Sequence, residues 1–220
     1  MQASEQKDEE RAAWREQAQA LDAGKLVFID ECGSNIALTR LYARSPKGKR
    51  TYGALPRNRR ANITLLASIS LQGMGEVFIL EGSADAPVFE LYIEQILAPS
   101  LQAGQIVILD NLSTHIGEKV RQAIEARGCQ HLFLPSYSPD LSPIEEAFSK
   151  LKAFLRRVGA RTPEALQEAI SQALLTITAQ DALGWFTHCG YQSVACGLVR
   201  RLSVNMAHHM TTKYVLTFAS

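Results

Sequence analysis

The chain has 220 residues, of which 46% are hydrophobic and 20% charged, and its formal net charge is +1. That length suits one generous domain or a domain with appendages, and it can bury a core without disulfide staples. No apolar run approaches the roughly 20 residues that cross a bilayer. The charged opening MQASEQKDEERAAW is no secretory signal, and four cysteines without C-x-x-C spacing make no disulfide framework. These features read as a soluble cytoplasmic protein with reduced thiols.

The small net charge hides an asymmetry. Between Cys32 and Gly75 lie Arg40, Arg44, Lys47, Lys49, Arg50, Arg57, Arg59 and Arg60, with no acid among them. A block of eight uncompensated bases points to a polyanionic partner.

In chain order, residues 4–22 are good helix formers without Gly or Pro, predicting a mostly polar helix. Lys25–Asp30 holds four consecutive apolar residues, as in a strand buried on both faces. Ile36–Arg44 is expected to form a second strand, followed by a basic loop. Residues 63–71 alternate with period two, predicting a half-buried strand that hairpins through Gln72–Gly75 into Val77–Leu80. Residues 86–98 predict a helix. Ile106–Asp110 repeats the pattern of four apolar residues followed by Asp. A helix over 115–127 should stop at Gly128, and His131–Leu134 forms a further strand. Helices are expected from Ile144 to about Val158 and from Pro163 to about Thr176. Early strands and later strand–helix alternation predict one mixed sheet flanked by helices, antiparallel in its first three strands and parallel later. The divisions expected are a helical extension over 1–23, a domain over 24–193 and an atypical tail over 194–220.

Asp30 and Asp110 each follow a buried strand at once. If the strands are parallel neighbours, roughly 4.8 Å apart, both carboxylates lie where open α/β sheets bind ligands. Glu145 is the third candidate. Its spacing from Ser142 also fits a capping box, and spacing alone leaves ligand and cap equally open. Glu146 can pair with Lys150 one turn on. The buried stripe of this helix is Ile144, Ala147, Phe148, Leu151, Leu155 and Val158, with Glu145, Lys152 and Arg156 on a neighbouring ridge. Three carboxylates favour hard cations, and two Mg²⁺ or Mn²⁺ ions would suit chemistry at phosphorus. Lys47, Lys49, Arg50, Arg57, Arg59, Arg60, Lys152 and Arg156 are the candidate DNA-backbone contacts. Glu31 is a secondary candidate beside Asp30. Asn111, Ser113 and Thr114 are by default capping residues, and His115 is by default structural.

FIDECGSN, ILDNLSTH and LPSYSPDLSPIEEAFSKLK resemble the three catalytic blocks of the insertion-sequence 630 / mariner superfamily of DDE transposases. Thirty-four residues separate Asp110 from Glu145, the Asp-to-Glu spacing of that superfamily. The resemblance spans about residues 10–193 and implies a ribonuclease H-like fold. It assigns Asp30, Asp110 and Glu145 as the catalytic, metal-holding acids and makes Asn111 and His115 motif positions without an assigned role. It further implies magnesium-dependent cleavage of element ends in double-stranded DNA, then strand transfer into target DNA, typically at TA. Family enzymes carry an N-terminal helix-turn-helix that recognises the ends, and only about 24 residues precede the first strand here. Self-association, or pairing with a part bearing that helix-turn-helix, is therefore expected, with no membrane involvement. Two other readings stay open: a non-catalytic, DNA-binding regulatory remnant, and a ribonuclease H-like nuclease of another substrate class.

Overall fold

A computed structural model of the chain describes residues 7–53, 56, 62–110, 117–192 and the backbone of 214–215. Its centre is a mixed sheet in the order β5-β4-β1-β2-β3-β6. The strands are β1 (Leu26–Ser34), β2 (Ile63–Ser70), β3 (Gly73–Glu81), β4 (Ile106–Leu109), β5 (Gln130–Phe133) and β6 (Tyr214–Val215). The first three pair antiparallel, whereas β4 joins β1 and β5 joins β4 in parallel. The two residues of β6 pair in parallel with Phe78 and Ile79 at the far edge.

Successive side chains of a strand face opposite sides of the sheet. Along β1, Leu26, Phe28 and Cys32 enter one apolar layer, and Val27 and Ile29 enter the other. The first layer contains α1 (Asp8–Gln19), α4 (Pro143–Val158), α5 (Pro163–Leu175) and α6 (Ala179–His188). The second contains α3 (Glu118–Glu125) and α2 (Ala86–Leu91), which runs on into a π-helical turn over Tyr92–Leu97. Among the described residues, no helix is long and apolar enough to cross a membrane. Cys32, Cys129 and Cys189 are free and buried.

Several local expectations change. Ile36–Arg44 is not a strand. The carbonyls of Ile36 and Leu38 accept from Arg161 Nη1 at 2.8 and 2.9 Å, so those acceptors serve a guanidinium and not a sheet ladder. All seven residues Ile63–Ile69 are buried, because helices cover both faces of the central strands. The predicted helix over 86–98 changes to π-type winding at Tyr92. Val158 is exposed at the last turn of α4, before Gly159 turns left-handed with φ 65°. Lys150 turns away from Glu146 to reach Asp181 at 2.8 Å and the Thr176 carbonyl at 2.9 Å, while Glu146 meets His188 at 3.1 Å. Both exchanges tie α4 to the α5–α6 region, and α6 itself is a helix that the periodicity does not announce.

Asp181 closes a capping box with Thr178 at the start of α6. The Lys150 hydrogen bond, with those from Thr178, holds its carboxyl down at about 2, against an ordinary 3.8. A depressed folded value means that this stabilisation is complete above about pH 4 and is lost as pH falls toward 2. Asp181→Asn should lower the melting temperature at pH 7 and flatten the acid limb of the stability profile between pH 4 and 2. Acid limbs of equal steepness in the two proteins would contradict this assignment.

Candidate active site

Strand register brings two acids together. β1 and β4 pair from Leu26–Ile106 to Ile29–Leu109, so Asp30 and Asp110 occupy equivalent positions one step beyond the last paired rung. Parity decides their face. Leu26 and Phe28 on β1, and Ile106 and Ile108 on β4, all point into the α4 layer, and residues two further on point the same way. The third acid, Glu145, sits in the first turn of α4, which packs over β1 and β2.

The capping alternative for Glu145 does not hold, since the Ser142 side chain makes no capping hydrogen bond. The Glu145 amide donates instead to the Ser142 carbonyl at 3.1 Å. Asp30, Asp110 and Glu145 line one cavity of about 380 Å³, walled by Leu134 and by the loop residues Ser136–Pro139 and Ser142. They share this open cavity without forming a closed cage: among the described residues, no three acidic, His or Cys side chains are gathered as a ready-made ligand set.

The electrostatics show that the acids sense one another. Burial raises the Asp30 carboxyl to about 7, with added repulsion from Glu145 and Asp110; the Glu31 amide, donating to Asp30 Oδ1 at 2.7 Å, works the other way. Burial also raises Glu145, Lys152 lowers it, and Asp110 raises it again. Lys152 lies against Cys32 as well, where it partly offsets the rise that burial imposes on the thiol. Asp30 and Glu145, whose charged forms are disfavoured by burial and by neighbouring carboxylates, lie in a cleft edged by a lysine, as functional acids often do.

The remaining candidates fall in three places. Lys152 and Arg156 lie one turn apart on the half-buried ridge of α4 that begins at Glu145. Lys47, Lys49 and Arg50 are exposed on the loop after β1. The Glu31 side chain is exposed; its amide donates to Asp30, and its carboxylate adds a small repulsion there. Arg57, Arg59, Arg60, Asn111, Ser113, Thr114 and His115 lie outside the described residues.

Sequence reasoning missed what holds the cavity wall. Arg11 on α1 is only 7% exposed. Its guanidinium donates to Asp140 Oδ1 at 2.9 Å, to Asp140 Oδ2 at 2.6 Å and to Ser138 Oγ at 2.7 Å. The Arg11 bonds hold the Asp140 carboxyl below its ordinary range. Nearby, Trp14 Nε1 donates to the Tyr191 hydroxyl at 3.0 Å, and that hydroxyl donates to the Leu141 carbonyl at 2.7 Å. Thus α1 and the segment just after α6 grip the loop leading into α4 from behind. Within this loop Tyr137 takes a left-handed backbone at φ 55° with its side chain exposed. Such a conformation is uncommon for a bulky residue and persists only when its surroundings enforce it.

A mixed sheet with one aspartate within β1, one just past β4 and a helix-borne glutamate over a common cleft defines a ribonuclease H-like fold. The family model for DDE superfamily endonucleases matches residues 25–167, and the chain belongs to that family. No curated protein matches the sequence. The fold is similar to Mos1 transposase in a paired-end complex with its left transposon end: TM-score 0.65, 15% identity, 83% of this chain and 57% of that one. It is also similar to the catalytic domain of Mos1 mariner transposase, at TM-score 0.58 and 14% identity over 83% of this chain and 85% of that one. For the Mos1 catalytic domain with Raltegravir and Mn, the TM-score is 0.61 and the identity 14%, over 86% and 92% of the two chains. The chain spans little more than half of the Mos1 protein in the first complex. At these identities the likeness concerns the fold.

Arg11→Met should loosen the Ser136–Ser142 loop by removing three charge-assisted hydrogen bonds. Each such bond contributes about 1.5–3 kcal/mol, less where one partner is half exposed as Asp140 is. Denaturant unfolding of Arg11→Met, Asp140→Asn and the double variant should give a coupling energy of about 1–2 kcal/mol. Simple additivity would refute the clamp.

Proposed function

We propose that this chain is the catalytic domain of a DNA transposase, cutting the ends of an element and joining them to target DNA at TA sites. One observation carries the reading: strand parity and register direct Asp30 and Asp110 into the same cleft that Glu145 enters from α4. The family assignment over residues 25–167 supports it.

The residues fit a divalent cation. Their donors are hard carboxylate oxygens, which suit Mg²⁺ or Mn²⁺ over zinc. Burial above all, with added repulsion from neighbouring carboxylates, raises the Asp30 and Glu145 carboxyls, and a cation would relieve both. Asp30, Asp110 and Glu145 would hold the metal, as one ion or a pair. When bound, such ions activate a water or a 3′-hydroxyl and stabilise charge at the phosphorus.

The chain's own groups do the positioning. Lys152 and Arg156 follow Glu145 along α4 at 1.5 Å per residue, so Arg156 lies about 16 Å beyond the acid. A phosphate backbone laid along this ridge is neutralised next to the cleft and held in line with it. Arg11 and the Trp14–Tyr191 pair keep the Ser136–Ser142 wall fixed, so the cleft is pre-shaped for a nucleic-acid strand. Lys47, Lys49 and Arg50 extend the basic surface past the end of β1. Recognition of the element ends, with self-association or pairing with a helix-turn-helix part, belongs to the same proposal. So do the secondary motif positions Glu31, Asn111 and His115, with no role assigned to them.

Purified protein with Mg²⁺ or Mn²⁺ should nick DNA carrying its element's ends or join pre-cut ends to target. Asp110→Asn should abolish both, by at least about 100-fold, with its circular dichroism and DNA affinity retained. Residual activity within a few fold of wild type would defeat the assignment. Salt-sensitive DNA binding without any cleavage in the wild type would favour the non-catalytic reading.

A further inference from the structure

The loop after β1 carries a feature that phosphate binding leaves unused. Every residue from 39 to 53 is exposed, and among the bases Arg40, Arg44, Lys47, Lys49 and Arg50 stand three bare apolar side chains. Tyr42 is 89% exposed, Tyr52 87% and Leu41 68%. Solvated aromatic rings of this size gain nothing where they stand, and they sit on the most basic stretch of the chain.

The loop's described part is nonetheless held at several points. Asn35 Nδ2 donates to Asn62 Oδ1 at 3.2 Å, joining its two ends, and Arg161 secures the carbonyls of Ile36 and Leu38. Its tip is a closed turn in which Lys49 N donates to the Pro46 carbonyl at 3.0 Å, Gly48 takes φ 83°, and the Ser45 hydroxyl bonds to the Lys49 carbonyl. A positive φ at the third turn position is what glycine allows. The result is an arm with lysines at its tip and a tyrosine on each limb. It springs from the end of β1 that carries Asp30, four residues before the strand closes at Ser34. The eight residues that follow Ser34, through Tyr42, would reach at most about 26 Å when fully extended, or nearly eight base pairs of duplex.

We propose that Tyr42 and Tyr52 are base-stacking residues, gripping DNA whose bases are unpaired or unstacked beside the cleaved position. This rests on the transposase reading above and deepens it by naming the DNA state that the arm selects. Basic side chains alone attract any polyanion. Aromatic rings set among them add a preference for exposed base faces, which a fully stacked duplex does not offer. Leu41, next to Tyr42, suits the apolar wedge that parts a base step.

The test compares two duplexes of equal length, one fully paired and one with a short mismatched segment carrying 2-aminopurine, by fluorescence anisotropy and 2-aminopurine quenching. Wild type should favour the mismatched duplex by roughly 10-fold and quench the probe, as expected for one or two stacked bases. Tyr42→Ala/Tyr52→Ala should erase the preference and the quenching while keeping the salt dependence. Tyr42→Phe/Tyr52→Phe should retain both. Lys47→Ala/Lys49→Ala should instead weaken both duplexes alike and lower the salt slope. Equal affinity of wild type for the two duplexes, with normal salt dependence, would overturn the stacking role and leave the transposase reading standing. Absence of binding to either duplex would overturn both. A preference that survives the double alanine variant would overturn the role of the two tyrosines.

Discussion

The parallel pairing of β1 with β4 is the constraint on which the site depends. Its register, Leu26–Ile106 through Ile29–Leu109, sets two aspartates abreast, and the pleat sends both toward α4. A slip of one residue in either strand would reverse every side chain of that strand, burying the aspartate among Val27, Ile29, Val107 and Leu109. That slip is prevented by the apolar residues themselves. Both faces of these strands are covered, so a displaced register would drive an ionised carboxyl into a closed apolar layer, at a cost of several kcal/mol. The core thus fixes the placement of the acids.

The second half of the site is held by distant chain segments. Arg11 and Trp14 come from the first described helix and Tyr191 from the segment just after α6, yet they converge behind the loop that introduces Glu145. Phe28, Phe186 and Tyr191 stack beneath it, with Phe28–Phe186 edge-on at 5.4 Å and Phe28–Tyr191 at 5.1 Å. A loop held in this way by a rigid scaffold can present side chains to a substrate without itself being a core element. Tyr137, with its left-handed backbone at the cavity wall, is the residue where that restraint is most visible.

Much of this was legible in the residues. LVFID and IVILD are uninterrupted apolar runs ended by Asp, and that pattern reports both the burial of the strands and the position of the acids. Helix α4 was equally plain, because Ile144, Ala147, Phe148, Leu151 and Leu155 keep a helical stripe. The misses have physical causes. IALTRLYAR alternates well enough to suggest a strand, but its carbonyls are taken by Arg161, 125 and 123 residues away, which no local pattern reveals. The polar look of α1 concealed a buried arginine whose acid partner lies 129 residues on. Glu145 was ambiguous because cap and ligand share one spacing, and only the direction of the Ser142 side chain separates them. Helix α6 carries Gly184 in its interior and buries only Ala182 and Phe186, so tertiary packing of those two makes it, not periodicity.

The proposed chemistry needs three carboxylates to serve one cation site. Its most direct measurement is Mn²⁺ binding to the purified chain, followed by electron paramagnetic resonance and calorimetry, in wild type and in Asp30→Asn and Glu145→Gln. Saturable binding in the wild type that either single substitution weakens by at least about 10-fold is the expected result, since hard-cation affinity follows the number and charge of the oxygen ligands. Equal Mn²⁺ affinity in all three proteins would contradict the shared site.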